Sequence, residues 1–425
     1  MATHRSRMTP RAVFAATSGN ILEWYDFTVY GFLAPTLGRI FFPSDDHLTS
    51  LLAAFAVLAV GYAARPIGSV IYGHIGDCMG RKPALLSSVI FMGAGSLLIG
   101  LLPTHAQIGV TASILLVAIR VVQGISVAGE YSASGVLIVE EAEESSRGFV
   151  GSWIAFAMMF GCVLGSAVPA LMDSLLSDQQ MIAWGWRVPF IIGSVVAVFS
   201  AILRFHLQES SAITNFAERV GSPVWTAIKG HWPVILQMIV LLIPTAVIYF
   251  VIFVYAASYL TGEMQFPASQ ALDITTVNLI VIAVLGLVIG WLSDQFGRRA
   301  MFMIGAIGTL ILAVPLWRLM HTDNLTVVFL GQLGFSALNA IGWALSITVL
   351  TEIAPPRLRC STVALGYNLC MAIFGGTTPI VATYLVSRTG DDFMPAYYVM
   401  ATTALSLLVI VRLPKLIQAN RSGAP

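Results

Sequence analysis

The feature that most limits this chain is a succession of apolar runs, each about 20 residues long and nearly free of charge. At 1.5 Å of rise per residue, a helix of that length matches a hydrocarbon core about 30 Å thick. Twelve such runs are marked, at about 14–34, 49–73, 84–102, 111–135, 149–172, 187–206, 233–260, 272–293, 300–319, 325–350, 362–386 and 396–413. Only 10% of the residues are Asp, Glu, Lys or Arg, against about a quarter in soluble domains. So little charge cannot cover a surface in water. In lipid every backbone N–H and C=O must be paired within the chain, and for runs of this length that means helices. The predicted fold class is an all-α integral membrane protein. The basic N-terminus is followed by no small-residue cleavage site, so the first run reads as a retained helix.

Twelve spans put both termini on one side, and the basic residues choose it. Of the 22 Lys and Arg, sixteen fall in the termini and the even-numbered loops. Arg204 is counted there, at the end of the sixth run. Four (Arg39, Arg187, Arg318 and Arg388) fall on the other side, and Arg65 and Arg120 lie inside spans. Both termini are therefore predicted to be cytoplasmic. Net charge is +1, which gives no electrostatic argument for nucleic acid. The four cysteines have neither paired spacing nor histidine partners, so they read as free thiols, with no metal site expected.

The chain repeats itself. Gly73-His74-Ile75-Gly76-Asp77-Cys78-Met79-Gly80-Arg81-Lys82 and Gly290-Trp291-Leu292-Ser293-Asp294-Gln295-Phe296-Gly297-Arg298-Arg299 share one pattern, 217 residues apart counted from Asp77 to Asp294. Each follows the second span of its half. A second echo, Glu140-x-Ala142 ending at Arg147, recurs as Glu352-x-Ala354 ending at Arg359. The predicted organisation is a six-helix bundle over 1–206, a cytoplasmic linker loop over 207–232 and a second six-helix bundle over 233–425. Parallel six-helix repeats are a transporter architecture with the substrate site at the midplane. In it Asp77 and Asp294 would sit at the positive end of a neighbouring helix. With Arg81 and Arg298 they are expected to latch and release a gate.

These motifs resemble the major facilitator superfamily over essentially the whole chain. A narrower resemblance, to the metabolite:proton symporter family, rests on Gly19-Asn20-Ile21-Leu22-Glu23-Trp24-Tyr25-Asp26, Arg65-Pro66-Ile67-Gly68, Arg120-x-x-Gln123-Gly124, Gly129-Glu130-Tyr131, Arg147-Gly148-Phe149, Gly185-Trp186-Arg187 and Leu207-Gln208-Glu209-Ser210. That family includes citrate, 2-oxoglutarate, shikimate and proline/betaine carriers of bacterial inner membranes. The resemblance implies proton-driven uptake of a small organic acid or zwitterion, with helices 1, 4, 7 and 10 around a central cavity. The chain departs from the superfamily's loop motif at Cys78 and Gln295, where a basic residue usually follows the aspartate. The expected latch is weaker for it.

An ionisable residue inside a span is expensive and marks function by default. The first span holds Glu23 and Asp26, flanked by Asn20 and Tyr30; the fourth holds Arg120, Gln123 and Glu130; the second holds Arg65. Arg120 is the leading candidate to bind substrate, because a guanidinium fork matches a carboxylate. The alternative for Arg120 is an ion pair with Glu130 or a carboxylate of the first span. Arg65 is assigned to gating or structure. Asp26 and Glu130, then Glu23, are the candidate proton carriers. In the second half, Gln332, Ser336, Asn339 and Trp343 share one face of the tenth span, and Tyr249 and Phe253 are one turn apart on the seventh. These polar and aromatic groups would contact the remote end of a substrate, or serve as glue between helices.

The leading expectation is a monomeric, proton-coupled importer of a di- or tricarboxylate such as citrate, in a bacterial inner membrane. Its partners are the substrate, protons and the bilayer, and no cofactor is needed beyond the proton gradient. The alternative is a carrier of betaine or proline, with Trp24, Tyr25, Tyr249 and Trp343 available to face an ammonium group. The chain stops about a dozen residues after the last span, which argues against the tailed, osmosensing form of that alternative. A multidrug exporter comes third, since Gly161 to Pro169 lacks an adjacent Gly-Pro. No nucleotide loop or nucleophile constellation points to an enzyme.

Overall fold

The computed structural model describes residues 9–207, 222–256, 259–260, 264, 266 and 268–422. Twelve long helices occur among them: α1 (Pro10–Phe41), α2 (His47–Cys78), α3 (Arg81–Leu101), α4 (Val110–Glu141), α5 (Arg147–Leu175), α6 (Arg187–Phe205), α7 (Pro223–Phe250), α8 (Ala268–Phe296), α9 (Arg298–Leu319), α10 (Leu325–Ile353), α11 (Arg359–Cys370, resuming at Gly376–Thr389) and α12 (Met394–Ile410). Ten helical segments are long and apolar enough to cross a bilayer on length and composition alone. The first helix falls short because Asn20, Glu23 and Asp26 lie in it, and α12 has only 17 residues. Each predicted span overlaps one of the twelve, with the third, sixth, seventh and twelfth extending past the helix end. Most of the helices outrun the spans, because polar ends continue past the hydrocarbon.

Three departures from the expected pattern have physical causes. The predicted linker over 207–232 becomes helical at Pro223, where proline is suited to a first turn, and α7 then kinks at His231 (φ −127°) ahead of Pro233. Residues 208–221 lie outside the described ones. α11 widens into a π turn over Met371–Gly375 before Pro379, whose ring cannot share an ordinary turn with the carbonyl four residues back. After α12 a short amphipathic helix, α13 (Leu413–Ser422), follows, with Leu413 fully buried against the core.

By proximity the chain forms two compact units. One comprises Thr9–Leu137 and Ala157–Pro223; the other comprises Ile138–Phe156 and Val224–Pro425. The facing ends of α4 and α5 therefore group with the C-terminal helices.

Helices here are inverted relative to a soluble protein. On α6, Val195, Val198, Phe199, Ile202 and Phe205 are exposed, whereas Ser200 and Arg204 are buried. Lipid solvates apolar side chains as well as a protein core does, so polar groups turn inward to find partners. Close approach supplies the packing. A Cβ on Gly124 of α4 would collide with the carbonyl of Gly61 on α2. The repeated loop motif also has a backbone reason: Gly80 and Gly297 adopt φ of +118° and +89° just before the next helix. Side chains rarely accept that conformation, so glycine recurs at both places.

Candidate functional site

In the first unit, Asn20, Glu23, Asp26, Phe27 and Tyr30 recur at helical spacing on one side of α1, and all are buried. Asp26 is the most elaborately held. It accepts from Arg120 Nη1 at 2.6 Å, from Ser96 Oγ at 2.5 Å and from Gln123 Nε2 at 3.3 Å. Gln123 in turn accepts from Arg120 Nη1 at 3.1 Å, so two residues one turn apart on α4 present a single donor array to α1. The Arg120 guanidinium lies over the Tyr30 ring, 3.9 Å from its centroid. Its Nε and Nη2 have no hydrogen-bond partner among the described residues. A planar fork with two spare donors is suited to a second carboxylate.

Glu23 faces Arg65 of α2, with Oε1 3.2 Å from Nη1. Arg65 lies against the edge-to-face pair Phe27–Tyr62, 4.7 and 4.5 Å from their ring centroids. Glu130 pairs through both oxygens with Arg204 of α6 and also accepts from Asn20 Nδ2 at 3.4 Å. Asn20 donates to Ser134 Oγ as well, at 2.8 Å. Three arginines and three carboxylates thus meet inside one six-helix unit, each pair at most 1% exposed.

In the second unit the polar stripe of α10 is tied to its neighbours. Gln332 Nε2 donates 2.9 Å to the carbonyl of Ile252, in the π turn Val251–Tyr255 that ends α7, and its oxygen accepts from Asn278 of α8 at 3.4 Å. With its amide oriented to suit its neighbours, Asn339 donates to the Thr245 carbonyl (3.2 Å) and accepts from Trp343 Nε1 (3.3 Å). Tyr249 packs on Trp343 and Phe253, at 5.5 and 5.2 Å between centroids. Tyr255 and Tyr259 belong to a separate ring cluster with Trp317 and His321.

At the loop motifs, Asp294 accepts from the backbone N–H groups of Gly148 and Phe149, both at 2.8 Å, and from Arg298 at 2.7 Å. Those amides belong to the first turn of α5, so the carboxylate acts as a borrowed N-cap at a positive helix end. Arg298 also reaches Glu352 at 3.4 Å, and Arg359 reaches Glu140 at 3.0 Å, so the second echo of each half is ion-paired. In the first copy of the motif Arg81 pairs with Asp77 at 3.2 Å and also donates to the Gly76 carbonyl.

Known proteins match this chain along nearly its whole length. Residues 12–219 match the family described as Sugar (and other) transporter, and 249–422 match the Major Facilitator Superfamily. The glycine betaine/proline/ectoine/pipecolic acid transporter of Dickeya dadantii is 35% identical over 411 residues, covering 94% of this chain and 82% of the relative. The chain belongs to the major facilitator superfamily. Within it, the metabolite:proton symporter resemblance is supported. The proline/betaine transporter of Salmonella typhimurium is 32% identical over 426 residues, 97% of this chain and 85% of that one. A proton:xylose symporter structure superposes with a TM-score of 0.76 at 16% identity, covering 96% of this chain and 95% of the other, and shares the fold.

For this superfamily transporter, the structure brings Asn20, Glu23, Asp26, Tyr30, Arg65, Arg120, Gln123 and Glu130 into one unit, as the sequence reading expected of its first half. Of the alternatives left open for Arg120, it takes a carboxylate of the first span, Asp26, and not Glu130, and Arg65 takes Glu23. The reading missed Arg204, which it counted as a loop cation on the cytoplasmic side. The residue is the last but one of α6 and is fully buried. Ser96 and Asn278 were missed as well, and single small polar groups in apolar helices carry little signal. Tyr25, a possible cage residue, donates its hydroxyl to the Pro189 carbonyl at 2.7 Å.

Proposed function

We propose that this transporter imports a zwitterionic osmolyte of the betaine or proline type in symport with protons. In this reading it sits in a bacterial inner membrane with both termini cytoplasmic. The observation that carries the reading is charge balance. Each deeply buried arginine of the first unit faces its own carboxylate, in the pairs Arg65–Glu23, Arg120–Asp26 and Arg204–Glu130. A di- or tricarboxylate would need surplus buried cations, because burying unpaired charge costs several kcal/mol per ion. A molecule with no net charge asks for no surplus. The names of the relatives support the same choice, which was the alternative in the sequence reading and now replaces citrate as the leading one.

Arg120 supplies the anchor for the substrate carboxylate through its spare Nε and Nη2 donors. Rings suited to an alkylated ammonium occur in each unit, with Phe27, Tyr30 and Tyr62 in one and Tyr249, Phe253 and Trp343 in the other. A buried carboxylate of the first unit takes up the coupled proton.

The test is proton influx into proteoliposomes that contain the purified protein and an internal pH dye. Glycine betaine or proline should acidify the lumen, citrate and tricarballylate should not, and Arg120→Ala should abolish the signal in folded protein. Acidification by the tricarboxylates alone would restore the organic-acid reading.

A further inference from the structure

The three buried pairs of the first unit differ in how completely they are hydrogen-bonded. Arg204 uses Nε, Nη1 and Nη2 on the carbonyls of Ala15, Leu85 and Ala16 and on both oxygens of Glu130. That pair staples α1, α3, α4 and α6 together, and neutralising either member strands several partners. Asp26 has three donors. Glu23 has the fewest contacts: its charge rests on Arg65 alone, with Nη1 3.2 Å from Oε1.

Its arginine is also the one prepared to lose a counter-ion. The Arg65 guanidinium lies against both the Phe27 and Tyr62 rings, which meet each other edge to face. Cation–π attraction in a water-poor site holds a cation in place whether or not a carboxylate beside it is charged. A proton on Glu23 therefore removes one buried charge and weakens a single contact, that to Arg65. A proton on Asp26 or Glu130 disrupts an assembled network.

We infer that Glu23 carries the coupled proton, with ring-held Arg65 as its charge partner, while Asp26–Arg120 serves the substrate and Glu130–Arg204 serves the fold. The inference rests on the symport reading above. The groups that bear on Glu23 are Arg65 on α2 and Glu130 on α4; Tyr62, beside Arg65, is in turn influenced by Cys162 on α5 and Arg120 on α4. Chemically, one O–H bond forms at a Glu23 oxygen with a proton from the outer medium and breaks again when that proton leaves to the cytoplasm. No oxidant, reductant or other co-reactant takes part.

The experiment compares wild type, Glu23→Gln and Glu23→Asp in proteoliposomes, each checked by thermal melting in detergent. Two readouts are taken with labelled glycine betaine: accumulation driven by an inward proton gradient, and counterflow exchange without a gradient. For one proton per substrate, one pH unit supports about tenfold accumulation. Glu23→Gln should keep counterflow within about twofold while its accumulation falls to equilibration, and Glu23→Asp should recover part of the gradient response. Proton influx in Glu23→Gln at the wild-type ratio to substrate would overturn the inference. So would loss of counterflow in both variants, which would place Glu23 in substrate binding or in the fold. Wild type that moves betaine without protons would overturn the symport reading itself, and that outcome shows in the unmutated protein.

Discussion

At the scale of single residues, this transporter depends on pairing charge that lipid cannot solvate. Glu130 and Arg204 are both completely buried. Removing one partner of such a pair costs about 3–5 kcal/mol, whereas replacing both with apolar groups of similar size is often close to neutral. Glu130→Leu should therefore lower the melting temperature in detergent by several degrees, and Glu130→Leu with Arg204→Met should recover most of the loss. Equal melting of the single and double variants would mean that the pair is not the staple described. Which residues would be ionisable and buried was legible for all but one of the six, because a charge inside an apolar run stands out. Arg204 was not, because it is the last residue but one of its helix, where a side chain usually reaches the membrane surface.

At the scale of helices, ends matter as much as faces. The first turn of α5 begins at Arg147 and draws its cap from Asp294, on the loop motif of the other half of the sequence. Loss of a capping oxygen costs about 0.5–2 kcal/mol. Asp294→Ala should melt lower than wild type by that order and transport more slowly. Asp294→Asn, which keeps one acceptor, should lie between them. Unchanged melting in both variants would remove Asp294 from any capping role. The sequence placed Asp294 beside a helix N-terminus on the strength of the repeat, but it could not say which helix. The π turns in α7 and α11 were not legible at all. A 3.6-residue apolar period continues through them, and what marks them is where carbonyls go, such as Ile252 to Gln332.

At the scale of the whole molecule, the distribution of charge among the loops predicts an orientation. Basic residues crowd the loops assigned to the cytoplasm, Arg81 and Lys82 among them. Cys78 lies in that loop and is partly exposed, whereas Cys162, Cys360 and Cys370 are buried. A membrane-impermeant maleimide should label inside-out vesicles at Cys78 and leave intact cells unlabelled, with Cys78→Ser as the control. Labelling of intact cells at Cys78 would reverse the assigned orientation.

Sequence alone determined that the chain crosses a membrane, how many helices do so, that the two halves repeat, and which side chains are costly enough to matter. Each of these depends on local quantities: the length of an apolar run, the spacing along a helix, the charge of a short loop. Only the tertiary structure decided which carboxylate meets which arginine. Asp26 and Arg120 are 94 residues apart, and Glu130 and Arg204 are 74 apart. Several pairings are equally compatible with helical spacing at such separations. The choice among them is made by how α1, α2, α4 and α6 pack, because in lipid a misplaced partner leaves two charges unsatisfied rather than one hydrogen bond weakened.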